Sequence, residues 1–129
     1  MNDGPDVGAA VRRGVRLFNH GRYFTAQQLF EETWQAVAGP ERGFLEALVQ
    51  LAAGMHLRTR RGATQGAEHL LIRALVGFEE WKPAAYEVDV ERLTVEFDAY
   101  VQWIREVKRP HRLLDRLRIP RIRAGTGAR

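Results

Sequence analysis

Apolar residues recur along nearly the whole chain at helical spacing, three or four positions apart, and nowhere alternate over a strand's length. The exception to a single stripe is FLEALVQLAAGMHL, positions 44–57. There Phe44, Leu48, Leu51 and Met55 form one row, and Leu45, Val49 and Ala52 form a second beside it. Leu57 and Ala53 close much of the remaining circumference. A helix apolar on most sides is one that other helices surround. The segment is too short, and too closely flanked by Glu41, Arg42, Arg58, Arg60 and Arg61, to span a membrane. It predicts a buried central helix over about Glu41–Arg61.

The other segments read as amphipathic helices around it. The first runs from about Pro5 to His20, with Val7, Val11, Val15 and Phe18 on one face and Gly21 as its stop. The second covers about Arg22 to Val37, with Tyr23, Phe30, Trp34 and Val37 as its stripe and Gln27 and Glu31 in the same angular sector at i, i+4 spacing. Gly39-Pro40 separates it from the central helix. The fourth, about Ala63 to Trp81, buries Ala67, Leu70, Leu71, Ala74, Leu75 and Phe78, and small Gly66 and Ala67 let it approach its neighbour closely. Residues 84–88 read as a loop. Asp89 then caps a fifth helix, about Val90 to Val107, whose inner face is Leu93, Phe97, Tyr100, Val101 and Ile104. Pro110 ends it. HRLLDRLRI suits one further helical turn, and PRIRAGTGAR reads as a loose tail.

The fold class is therefore all-α, a single-domain bundle of about five helices. A helical domain over 1–109 is followed by a basic tail over 110–129, partly packed or flexible. At 129 residues the chain is long enough to bury a substantial core. It has no cysteine, which excludes disulfides, a thiolate nucleophile and zinc–cysteine sites. MNDGPDVGAA lacks the basic and apolar regions of a signal peptide, so a cytoplasmic location is the expectation.

Charge is distributed unevenly. Residues 1–104 carry 11 Lys/Arg against 14 Asp/Glu, whereas residues 105–129 carry 9 against 2. Arg109, Arg112, Arg116, Arg118, Arg121 and Arg123 offer a nucleic-acid partner a row of phosphate contacts. No aromatic residue is interleaved among them to stack on bases, and Leu113, Leu114, Leu117, Ile119 and Ile122 instead favour packing of the tail on protein.

Three polar residues interrupt the central apolar run: Glu46, Gln50 and His56. With Gln27, Glu31 and Trp34 from the second helix and Arg42 from the third, they suggest a polar cluster where the two helices pack as a hairpin. A carboxylate buried there must be paired or strongly destabilising. On that premise Glu31→Ala costs roughly 2–4 kcal/mol. Glu31 and His56 supply at most two good metal ligands, too few for a structural site, so neither metal nor cofactor is expected. As acid and base the same pair is the enzyme alternative, and it requires a recess reaching both. His20, next to Gly21, is better explained as a helix cap.

NHGRYFTAQQLFEETW followed by ERGFLEALVQLAAGMHLRTRRGATQGAEHLLIRAL resembles the small helical family known as domain of unknown function 309. The resemblance rests on Phe24, Ala26, Glu31, Trp34, Arg42, Phe44, Gln50, His56, Gly62, Gly66 and Ala67. Gln27-Gln28 stands where the family pattern has His-Glu, and Ala47 where it has Gly. The resemblance implies an all-helical bundle with no settled activity. The function expected is a ligand- or partner-binding module, self-associating as a homodimer, with a small polar ligand as a further candidate and no membrane partner.

Overall fold

The computed structural model describes residues 4–61, 65–107 and 116–126. Five α-helices follow in order: α1 (Val7–Asn19), α2 (Tyr23–Ala36), α3 (Glu41–Arg61), α4 (Gln65–Phe78) and α5 (Val90–Glu106). Between α4 and α5 lie a 3₁₀ turn (Glu79–Trp81), a cis Lys82-Pro83 peptide and a small hairpin of β1 (Ala84–Ala85) and β2 (Val88–Asp89).

Local chemistry sets most boundaries. Asp6 caps α1 by accepting from the Ala9 N–H at 3.0 Å, and Asp89 caps α5 by accepting from Arg92 N–H at 3.0 Å. Gly21, at φ +78°, takes the left-handed conformation that turns the chain from α1 into α2. His20 closes α1, its Nδ1 lying 2.7 Å from the Arg16 carbonyl, as expected of a capping histidine.

Successive helices pack antiparallel. Gly14 of α1 sits against the Phe30 ring of α2, so close that an added Cβ would lie 2.1 Å from Phe30 Cε1. Gly54 of α3 meets Leu71 of α4, and Gly77 of α4 meets Ala47 of α3, so small residues on both helices permit the close approach read from the sequence. α3 is the centre. Phe44, Leu45, Leu48, Leu51, Ala52 and Met55 are all fully buried, and α2 and α4 pack on either side. α5 packs on α4, and its Phe97 ring meets Phe18 of α1 at 5.9 Å.

Two expectations are corrected here. Residues 84–88 are a two-residue hairpin, in which Ala85 pairs with Val88 and Tyr86 and Glu87 form the turn. Residues 122–125, expected in a loose tail, run back along that hairpin. Val88 bridges Ala124, Asp89 N–H donates to the Arg123 carbonyl at 2.9 Å, and Gly125 N–H donates to the Glu87 carbonyl at 3.0 Å. Ile122 is buried, and Asn19 at the end of α1 grips its backbone from both sides. Leucines at 113 and 114 lie outside the described residues.

Candidate functional site

The antiparallel pairing of α2 and α3 brings the expected site residues onto one seam. At one end the Arg42 guanidinium stacks over Trp34, 4.5 Å from its centroid. At the other, the Phe24 and His56 rings lie 5.1 Å apart. Gln27 and Glu31 occupy the α2 side between these pairs, and Val49 and Ala53 fall at the matching positions of α3. All four are half-buried.

The seam is not the sealed cluster the sequence suggests. Glu31, Gln27, Trp34, Arg42 and His56 are half-buried, Phe24 is 49% exposed, and Glu46 is exposed. The side chains of Gln27, Glu31, Gln50 and His56 share no hydrogen bond or ion pair. The reason is angular. The shoulder of α3 that carries Arg42 and His56 faces α2, whereas Gln50 lies on the opposite shoulder. There it lines a groove of about 300 Å³ with Gly43, Glu46, Ala47, Arg73 and Gly77. Periodicity places residues on a helix but does not say which neighbour each shoulder meets.

The expected cost of removing Glu31 changes accordingly. No buried cation is left behind, because Arg42 is held by the Trp34 face and Glu31 is itself partly solvated. Glu31→Ala should therefore shift the unfolding free energy by no more than about 0.5 kcal/mol. A denaturant titration that gave the 2–4 kcal/mol of a buried pair would show the carboxylate to be structural after all.

Beyond the Phe24–His56 pair opens a shallow cleft of about 260 Å³, lined by Gly21, Arg22, Phe24, His56, Thr59 and Arg60. It reaches His56 and not Glu31. Among the described residues no three His, Asp or Glu are grouped to hold a metal ion. Among the described residues no helix is long and apolar enough to cross a membrane.

One buried charge escaped the sequence reading. Arg58, read as a flanking charge, is only 2% exposed and is engaged within the fold. The signal was present: Leu51, Met55 and Arg58 continue a single row on α3. Of the tail arginines, Arg109 and Arg112 lie outside the described residues. Arg116, Arg118 and Arg121 are exposed, with Arg118 5.5 Å from the Trp103 ring centroid, and Arg123 lies 3.4 Å from Glu96 Oε1.

The fold and its seam define a small all-helical bundle with a polar and aromatic strip along its second and third helices. The stretch of residues 11–70 matches the family described as Domain of unknown function (DUF309). It contains α1 from Val11, all of α2 and α3, and so every residue of the seam. No curated protein matches the chain.

Proposed function

We propose that this domain is a non-catalytic binding module and that its α2–α3 seam holds a second copy of the chain. The observation that carries the reading is the unspent chemistry of the seam. Among the described residues Gln27, Glu31 and His56 make no hydrogen bond through their side chains, and they lie between an exposed phenylalanine and a tryptophan–arginine stack. Aromatic and arginine anchors around polar groups are what protein interfaces concentrate.

Charge favours self-pairing. The seam has an acid near its middle, Glu31, and cations at its ends, Arg42 at one and Arg22 and Arg60 at the other. A two-fold arrangement lets the carboxylate of each copy meet a basic end of the other, the self-complementarity that an isologous contact requires. A small polar ligand in the same seam is the alternative occupant. The tail is a weaker basis for a nucleic-acid partner, because Arg118 and Arg123 already face Trp103 and Glu96.

Sedimentation velocity over a concentration series tests the pairing. The parent chain should sediment as a dimer, and Glu31→Arg and Phe24→Asp should each shift it to monomer with an unchanged melting temperature. A parent chain that stays monomeric at its highest attainable concentration removes the proposal.

A further inference from the structure

Away from the seam residues, α1, the hairpin turn and the returning C-terminal strand line a cleft of about 420 Å³, a volume typical of small-molecule sites. Its floor is apolar, from Val11, Val15, Tyr86 and Val88. Its rim carries three guanidinium groups, Arg12, Arg16 and Arg123, and a single carboxylate, Glu87. We propose that this cleft binds an amphipathic anion, a carboxylate or similar headgroup on an apolar body.

The division of labour among the arginines supports this chemistry. Arg12 pairs with Glu87 at 3.0 Å, and Arg123 lies 3.4 Å from Glu96. The Arg16 side chain has no ion pair or hydrogen bond among the described residues, although its backbone carbonyl accepts from the helix end. The cleft therefore presents one uncommitted cation above an apolar surface. A guanidinium binds carboxylates in a planar two-point geometry, and a low-dielectric floor strengthens that contact.

The turn shows how the rim carboxylate is placed. Both of its residues lie in the left-handed region, Tyr86 at φ 49° and Glu87 at φ 64°, where hairpins ordinarily use Asn-Gly or Asp-Gly. Packing accounts for Tyr86, whose ring meets Phe44 at 5.2 Å and Trp81 at 6.1 Å. It does not account for Glu87, whose side chain is 64% exposed and pairs with Arg12 at the cleft. A glutamate in that conformation holds Arg12 in place and limits the positive charge of the site.

The test uses octanoate as the anion and 1-octanol as its uncharged counterpart, each titrated into the full chain and followed by amide chemical shifts. Octanoate should bind at one site and move the amides of Val88, Ala124 and Gly125, with octanol at least about tenfold weaker. Arg16→Gln should weaken octanoate by about tenfold. Glu87→Gln, which removes the competing carboxylate, should tighten it. Equal binding of the two probes, shifts confined to other faces, or an octanoate affinity indifferent to Arg16→Gln would each overturn the proposal. The seam and its dimer test are untouched by any of these results.

Discussion

Phe44→Ala is expected to lower the unfolding free energy by about 3–5 kcal/mol, the cost of deleting a fully buried aromatic ring. For a chain of this length that is a fall in melting temperature of roughly 10–20 °C. Phe44 lies in the first turn of the central helix, yet its ring touches three other parts of the fold. Phe78 at the end of α4 lies 5.7 Å away, Trp81 in the 3₁₀ turn 5.4 Å, and Tyr86 in the hairpin 5.2 Å. All these rings except Tyr86 are buried, so little can slide inward to fill the void. The Tyr86 contact also offsets the strain of its backbone, so the substitution should loosen the hairpin turn as well as the core. A loss below about 1 kcal/mol would mean that the surrounding rings collapse into the space, and thermal denaturation of the variant decides it.

Asn19→Ala is expected to cost about 2–3 kcal/mol and to release the returning strand before the bundle unfolds. The Asn19 amide donates from Nδ2 to the Ile122 carbonyl at 2.8 Å and accepts through Oδ1 from the Ile122 N–H at 2.8 Å. It thus supplies both hydrogen bonds that a neighbouring strand would give. Removing it strands two part-buried backbone groups beside a buried isoleucine side chain. Hydrogen exchange provides the diagnostic reading. The Gly125 and Asp89 amides, which donate to Glu87 and Arg123 carbonyls, should lose protection while α3 keeps its own. Unchanged exchange at Gly125 would show that the strand is held by the hairpin alone. Because that strand forms one wall of the arginine-rimmed cleft, the variant should also lose octanoate binding.

The two variants locate the division between what is local and what is long-range in this fold. Phe44 was conspicuous in the sequence, because it opens the one run that is apolar on most sides. Asn19 was not, since its partner is more than one hundred residues away. The same contrast holds for the seam. The hairpin of α2 and α3 was legible, but that Arg42 stacks on Trp34 and that His56 meets Phe24 appeared only in the structure. Gln50 was assigned to the wrong shoulder, because a helix period of 3.6 residues gives angles about an axis and not the identity of the neighbour at each angle. Glu31, beside Phe30 and Trp34, was expected on a face at least half-buried, and it is half-buried, but it shares no hydrogen bond or ion pair with Gln50 or His56.

By itself the sequence determined the five helices, their caps at Asp89 and His20, the burial of α3 and the all-α class. These follow from periodicity, capping chemistry and helix-breaking residues, which act within a few positions of one another. Only the tertiary structure decided that the polar seam is open, that Arg58 is buried, and that the basic segment returns to close a cleft against α1. Each of those depends on side chains from distant segments meeting in one place. A charge's partner and its access to water are properties of that meeting, and no local pattern encodes them.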